Sequence, residues 1–287
     1  MNKLKSIFVM LMMAGMTVIA VLSITGIFRE DFPLGHVGAL LTTAPFLGLL
    51  VSLLVFKTSA RTSHRLPVIT ALAVLGLVLA VVDYVMRGPV EPLVLALSGT
   101  VFFFAYNFWY SELGRRPSAQ LQPGKKLPDF TLEDADGNSV RSASFTGTPW
   151  ILLFYRGNWC PLCMAQIKEL AGDYQRLSDL GARVALISPQ PHGHTRKLAE
   201  TFDVDFTFLV DPGNKAADQL EIAAKDGVPL GMGMQGYDAD TVLPTVVITD
   251  ADGTIIFLDE TDNYRVRPEP ETFIQALKQA GVAAKAV

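Results

Sequence analysis

Four long apolar stretches at the start of the chain constrain its fold more than any other feature. They cover residues 6–28, 34–56, 66–86 and 90–110. At a rise of 1.5 Å per residue, helices of this length reach roughly 31 to 35 Å, enough to cross a hydrocarbon core of about 30 Å. None of them carries the polar stripe that a helix on a soluble protein needs. The sequence therefore predicts four transmembrane α-helices within residues 1–113.

The first stretch also resembles a signal peptide, because Lys3 and Lys5 form a basic start. Its apolar run is longer than the usual 7 to 15 residues, and no A-x-A-like cleavage site precedes the second stretch. We therefore interpret it as a retained span.

The lysines and arginines around the spans predict the orientation. Only Arg29 and Arg87 lie in the first and third loops. Nine lie on the opposite side: Lys3, Lys5, Lys57, Arg61, Arg65, Arg115, Arg116, Lys125 and Lys126. Because cytoplasmic loops carry the excess of positive charge, both termini are predicted to be cytoplasmic. The expected location is a multi-pass protein of the inner or plasma membrane, with the part after the spans facing the cytoplasm.

The spans themselves contain little that predicts chemistry. Both cysteines of the chain lie outside them. Asp83 is an acid inside the third span, but it lies near the end, so we expect its carboxylate to reach water at the interface. Gly48 and Gly99 fit close packing between helices. We thus expect an anchoring role, with the lipid bilayer as a partner.

The chain after the spans has the pattern of a compact α/β domain. Residues 114–126 are rich in Gly, Pro and basic residues and are predicted to be a linker, followed by a domain over residues 127–287. Its apolar strands alternate with helical segments, which predicts a mixed sheet with flanking helices. From Gly114 onward, 17 Lys and Arg residues stand against 23 Asp and Glu residues. This acidic balance excludes a strongly basic face for nucleic acid.

The two cysteines, Cys160 and Cys163, form a C-x-x-C pair between a predicted strand and a predicted helix. Pro161 is favoured at the first helical position, so Cys160 is expected at the helix cap and Cys163 in the first turn. The positive end of a helix stabilises a thiolate, the species that attacks peroxides and disulfides. A zinc site needs four ligands and would have to recruit His192 and His194, which we interpret as loop residues. The pair therefore predicts redox chemistry with no cofactor.

Five segments together resemble the AhpC/TSA family, in its peroxiredoxin-like branch within the thioredoxin-like superfamily. They are LPDFTLEDADGNSV (127–140), FYRGNWCPLC (154–163), ISPQ (187–190), LPTVVITDADG (243–253) and RPEPE (267–271). The resemblance implies a thioredoxin-like fold for residues 127–287. It also implies that Pro244 is a cis proline that precedes a central strand and packs against the cysteine loop.

Two family patterns assign the cysteines opposite roles. The peroxiredoxin pattern Phe-Tyr-Pro-x-x-x-Thr-x-x-Cys makes Cys163 the attacking thiol, with Arg156 in place of the usual Pro and Cys160 in place of the usual Thr. The thioredoxin pattern Trp-Cys-x-x-Cys, laid on Trp159 to Cys163, makes Cys160 the attacking thiol. The sequence leaves the choice open, and we expect the peroxiredoxin assignment.

The leading hypothesis is a membrane-anchored, peroxiredoxin-like thiol peroxidase that reduces hydroperoxides. Cys163 would become a sulfenic acid, and Cys160 would close a disulfide with it. Arg156 would supply positive charge, and Trp159, Pro161 and Pro244 would support the site. A thioredoxin- or glutathione-type reductant would complete the cycle. The alternatives are a thioredoxin-like thiol-disulfide oxidoreductase and a redox-controlled membrane sensor or adaptor.

Overall fold

The computed structural model describes residues 2–56 and 59–282. The chain divides into two compact units. The first contains most of residues 3–112, and the second contains residues 59–61 and the chain from residue 113.

The first unit contains four long helices in the described residues. They are α1 (Asn2–Arg29), α2 (Leu34–Val51), α3 (Pro67–Arg87) and α4 (Val90–Ala105). A single π-helical turn extends α2 over Ser52–Phe56 and α4 over Tyr106–Tyr110. All four segments are long and apolar enough to cross a membrane, as the sequence predicted.

Glycine determines how closely α2 and α3 approach. A Cβ at Gly76 would overlap the carbonyl oxygen of Gly38, and a Cβ at Gly38 would overlap the carbonyl oxygen of Gly76. Gly99 also packs closely, against Thr42, as expected. Gly48 does not, because nothing lies within 4 Å of its would-be Cβ. The close crossing of α2 and α3 therefore depends on a glycine pair that the sequence analysis did not single out.

We expect Gly76→Leu to destabilise the first unit by about 2 kcal/mol or more, because backbone has no means of yielding as a flexible side chain does. Thermal unfolding of the full chain in detergent micelles, followed by the fluorescence of Trp109, would measure the change. Gly48→Leu is the matched control and should leave the transition nearly unchanged. Equal effects of the two substitutions would show that the crossing does not require a small residue.

Asp83 on α3 does not reach water. Its side chain is 1% exposed, and Arg87 donates a hydrogen bond from Nε to its Oδ1 at 2.6 Å. The carboxylate also lies where a Cβ of Gly35 would be. The expectation of an interfacial carboxylate was wrong because a glycine on α2 leaves room for the acid inside the bundle.

The second unit is built on a seven-stranded mixed sheet. Its described strands are β1 (Thr131–Asp134), β2 (Ser139–Arg141), β3 (Trp150–Phe154), β4 (Arg183–Ser188), β5 (Phe206–Val210), β6 (Ala223–Ala224), β7 (Thr241–Val242), β8 (Thr245–Thr249) and β9 (Ile255–Asp259). The order in the sheet is β2-β1-β5-β4-β3-β8-β9, and β6 pairs with β7 separately. Strands β3, β4 and β5 run parallel, and the pairings β3–β8, β8–β9, β1–β5 and β1–β2 are antiparallel.

Five described helices accompany this sheet. They are α5 (Pro161–Gly172), α6 (Tyr174–Asp179), α7 (His192–Ala199), α8 (Lys215–Gln219) and α9 (Pro270–Gln279). This confirms the predicted mixed sheet with helices. The predicted single helix from Pro161 to Leu180 is interrupted at Asp173, whose φ of −97° and ψ of 8° are not helical.

Strand β3 lies in the middle of the sheet. All five of its residues are buried, and it pairs with β4 on one side and β8 on the other. A continuous apolar run such as WILLF is typical of a strand covered on both faces. The cysteine loop follows this strand directly, so the most deeply buried strand positions the candidate site.

Residues 114–126, predicted as a linker, pack within the second unit. Leu121 is 1% exposed and belongs to the apolar core with Phe130 and Trp150. Arg115 donates hydrogen bonds from its guanidinium to the carbonyl oxygen of Pro244 at 2.9 Å and to Glu260 at 2.7 Å. Composition alone could not show this, because both partners lie more than a hundred residues along the chain.

Candidate active site

The cysteine pair lies at the carboxyl end of β3 and the start of α5. Cys160 occupies the N-cap, with φ −89° and ψ 109°, and Pro161 occupies the first helical turn. The amide of Cys160 also donates a hydrogen bond to the carbonyl oxygen of Gly157 at 3.1 Å. These positions confirm the predicted placement of Cys160, Pro161 and Cys163, and both cysteines are free thiols.

Both sulfurs are buried, and their acidities differ. Cys160 is 3% exposed and Cys163 is fully buried. A hydrogen bond from Cys163, together with the positive charges of Arg267 and Arg156, lowers the pKa of Cys160 to about 6. Burial and the hydrogen bond to Cys160 raise the pKa of Cys163 well above its ordinary value. Near neutral pH the pair therefore holds one negative charge, and it resides mainly on Cys160.

Arg267 contacts the pair from the far end of the chain. Its Nη2 donates to Cys163 Sγ at 3.6 Å, and its Nη1 donates to Gln166 Oε1 at 3.2 Å. Its side chain is buried. Sequence reasoning quoted Arg267 in the RPEPE segment as a mark of the family but did not place it in the site. The contact spans 104 residues of sequence, so local spacing gave no signal for it.

Arg156 and Trp159 lie on the loop between β3 and α5. Arg156 donates a hydrogen bond to the carbonyl oxygen of Gly227, and its guanidinium lies 4.6 Å from the ring centre of Trp159. Its charge acts on Cys160, whose pKa it lowers. The structure thus places both residues at the site, as the sequence predicted, and Arg156 acts as a source of positive charge.

Gly157 gives this loop its shape. Its φ is +140°, and a Cβ there would lie 2.8 Å from Trp159 Nε1. A side chain at this position would be strained and would displace the indole. Glycine is therefore required for the turn that brings Trp159 and Cys160 together.

A buried polar network that sequence reasoning missed holds the same loop. Gln190 donates from Nε2 to the hydroxyl of Tyr155 at 2.9 Å and to Thr195 Oγ1 at 3.2 Å. Its Oε1 accepts a hydrogen bond from the amide of Asn158 at 2.9 Å. Burial raises the pKa of Tyr155, so its hydroxyl stays protonated. Gln190 thereby ties the cysteine loop to α7.

Pro244 precedes β8, as predicted, but it is not a cis proline. The residues that the structure describes contain no cis peptide bond. Pro244 lines a small cavity together with Gln166 and Arg267, while its carbonyl oxygen accepts the hydrogen bond from Arg115. The expected cis conformation was wrong because it was carried over from the family, in which that geometry is common, and this chain holds the segment through Arg115 instead.

The loop histidines and the Gly-Met segment take structural places. His194 contacts the carbonyl oxygen of Gln235 through Nε2 at 2.8 Å, and its ring stacks on Tyr237 with centroids 4.6 Å apart. His192 pairs with Glu133 at 2.9 Å. Within the described ranges no three His, Cys, Asp or Glu side chains cluster as a metal site would. Both histidines lie on α7 rather than on a loop.

This arrangement can carry out thiol redox chemistry. A thiolate, a neighbouring protonated thiol and two arginines lie together at one helix start. A thiolate that attacks an oxidant needs positive charge to stabilise it, and the second thiol can then close a disulfide.

Comparison with protein families agrees with this chemistry. Residues 123–258 match the AhpC/TSA family. This region is a peroxiredoxin-like AhpC/TSA domain with the thioredoxin-like fold. The match begins within the predicted linker, in agreement with the packing of Leu121 in the core of the domain.

Several curated peroxiredoxins resemble the AhpC/TSA domain. Chloroplastic peroxiredoxin Q of Populus jackii is 28% identical over 140 residues, which cover 46% of this chain and 66% of the relative. The putative peroxiredoxin MT2597 of Mycobacterium tuberculosis is 29% identical over 139 residues, covering 48% of this chain and 85% of the relative. For the rice peroxiredoxin Q the identity is 30% and the covered share of the relative is 48%. The chain thus spans about half to two thirds of the length of its plant relatives.

Solved structures of peroxiredoxins also resemble it. Peroxidoxin BcpB of Mycobacterium tuberculosis superimposes with a TM-score of 0.46 at 19% identity, covering 55% of this chain and 97% of the other. AhpC of Enterococcus faecalis superimposes with a TM-score of 0.46 at 16% identity, covering 55% and 92%.

Proposed function

We propose that this chain is a membrane-anchored thiol peroxidase that reduces hydroperoxides through Cys160 and Cys163. The observation that carries the proposal is the acidic Cys160 thiol beside the buried Cys163 thiol within an AhpC/TSA domain. At pH 7 a pKa of about 6 leaves roughly ten times more thiolate than thiol. The reactive form therefore predominates at neutral pH.

The reaction uses the two sulfurs in sequence. The Cys160 thiolate attacks the terminal oxygen of a hydroperoxide, so an S–O bond forms, the O–O bond breaks and the alcohol leaves after taking a proton. Cys163 then attacks the resulting sulfenic acid, the S–S bond forms and water leaves. An external dithiol of the thioredoxin or glutathione type reduces the disulfide again.

This assignment gives the first attack to Cys160, although the peroxiredoxin pattern led us to expect Cys163. Two features support the change. Burial keeps Cys163 protonated, whereas Arg156 and Arg267 act on Cys160. Cys160 is also the more exposed of the two, at 3% against 0%.

A single-turnover experiment tests the peroxidase function. The reduced full-length chain would receive one equivalent of cumene hydroperoxide, and in parallel one equivalent of oxidised glutathione. We expect the hydroperoxide to form the Cys160–Cys163 disulfide rapidly with one equivalent of alcohol, as read by mass spectrometry. A fast reaction with oxidised glutathione and a slow one with hydroperoxide would instead favour the second candidate, thiol-disulfide exchange, which the low pKa of Cys160 also supports.

The orientation in the membrane is part of the proposal. The excess of positive charge, nine Lys and Arg residues against two, supports cytoplasmic termini and a cytoplasmic AhpC/TSA domain. Protease added to intact spheroplasts should leave the domain uncut and should cut it after the membrane is permeabilised. Digestion in intact spheroplasts would reverse the orientation.

A further inference from the structure

A small cavity lies beside Arg267, on the side of its guanidinium away from the cysteines' main contact. Its volume is about 10 Å³, which is room for one water molecule or an ion of similar size. Gln166 on α5, Asn263 and Arg267 are among its lining residues.

Three buried hydrogen-bond donors around this cavity have no acceptor within residues 2–56 and 59–282. They are Gln166 Nε2, Asn263 Nδ2 and Arg267 Nε. The residues are 1%, 1% and 4% exposed. An unpaired buried donor costs about 1 to 3 kcal/mol, so three around one cavity point to a bound acceptor.

The charge of Arg267 indicates which acceptor. No carboxylate of the described chain forms an ion pair with this buried guanidinium, whose printed partners are Cys163 and the Gln166 amide oxygen. Asp259 also lines the cavity, but its Oδ1 accepts a hydrogen bond from Thr261 at 2.6 Å, and none of the three donors bonds to it. A buried cation needs a negative partner, and in the reduced protein the cysteine thiolate supplies it. Formation of the disulfide removes that negative charge.

We propose that the cavity binds one halide-sized monovalent anion, such as chloride, and binds it more tightly when Cys160 and Cys163 form a disulfide. Gln166, Asn263 and Arg267 donate hydrogen bonds to it. The small volume excludes sulfate and phosphate. The inference goes beyond the proposed function, since it needs a disulfide between the two cysteines but no turnover of a hydroperoxide.

The proposal links anion binding to the redox equilibrium. When dithiothreitol reduces the disulfide, two electrons break the S–S bond and dithiothreitol closes to its cyclic disulfide. Cys163 takes a proton, Cys160 remains mainly a thiolate, and the anion leaves. Above its dissociation constant, a tenfold rise in chloride should therefore lower the equilibrium constant for reduction about tenfold, which is about 30 mV for a two-electron couple.

The test is a redox titration of the full-length chain in detergent micelles with reduced and oxidised dithiothreitol. Chloride is varied while potassium gluconate holds the ionic strength constant, because gluconate is too large for the cavity. The fraction of free thiol is read by alkylation and mass spectrometry. We expect the tenfold dependence in the wild-type chain.

Asn263→Asp is the decisive variant. It keeps the Oδ1 that accepts the amide hydrogen bond of Arg265 at 3.0 Å, but it replaces the donor by a carboxylate oxygen and adds negative charge. Its chloride dependence should disappear. Asn138→Asp, in the exposed turn between β1 and β2, is the matched control and should keep it. A wild-type equilibrium that does not respond to chloride, or an equal response in Asn263→Asp, overturns the proposal.

A second measurement does not depend on redox chemistry. In a Cys160→Ser, Cys163→Ser double variant no thiolate balances Arg267, so chloride should raise its Tm relative to gluconate at equal ionic strength. The additional Asn263→Asp substitution should abolish that rise. If chloride leaves the Tm of the double variant unchanged, the cavity holds no anion, whatever the outcome of the peroxidase assay.

Discussion

Cys160→Ser is expected to slow the reaction with cumene hydroperoxide at pH 7 by at least about a hundredfold. The remaining sulfur, Cys163, is fully buried, and its raised pKa keeps it a thiol. Because only the thiolate attacks at a useful rate, little reactivity should remain. Rapid mixing with detection of the indole fluorescence of Trp159 would measure the rate.

Cys163→Ser should have a different effect. The first oxidation of Cys160 should proceed, with one equivalent of hydroperoxide consumed, but no disulfide can form and turnover should stop. A sulfenic-acid trap should then label Cys160 in this variant, as located by mass spectrometry. A rapid label on Cys163 in the Cys160→Ser chain would contradict the assignment and restore the order that the peroxiredoxin pattern predicts.

Arg267→Gln is expected to raise the pKa of Cys160 by roughly 1 to 3 pH units, because it removes a positive charge buried beside the pair. In the wild-type chain, the rate of alkylation by iodoacetamide should be nearly constant above about pH 7. It should fall as the pH drops through the pKa of about 6. In the variant the fall should begin at a higher pH, so alkylation at pH 6.5 should slow roughly tenfold or more.

Two control variants separate charge from folding in this experiment. Arg267→Lys keeps a positive charge and should restore most of the low pKa. Arg141→Gln removes an exposed arginine that pairs with Asp129 on the surface and should leave the profile unchanged. An unchanged pH profile in Arg267→Gln, with a normal Tm, would show that Arg267 does not stabilise the thiolate.

The two halves of the chain differ in how far local sequence could predict them. The four spans follow from length and apolar composition, properties that neighbouring residues share, and the structure has four such helices. Their packing contacts were harder to predict. The overlap of Gly38 with Gly76 and the burial of Asp83 against Gly35 depend on which helix faces meet.

The same distinction holds at the active site. Strand β3, the cap at Cys160 and the position of Pro161 follow from short-range patterns, because a strand period and a helix start are encoded within a few residues. The RPEPE segment marked the family, but nothing in its spacing indicated that Arg267 reaches Cys163. The predicted role of Cys163 as the first nucleophile came from a family pattern, and acidity depends on surroundings that a pattern does not contain.

The sequence by itself determined the four apolar helices, the α/β domain and the single C-x-x-C pair at a helix start. The tertiary structure decided which sulfur carries the charge, since Arg267, Gln166 and Gln190 reach the cysteine loop and its helix only in the folded chain. The physical reason is that secondary structure depends on interactions within a few residues. The pKa of a thiol depends on burial and on charges brought close from any part of the chain.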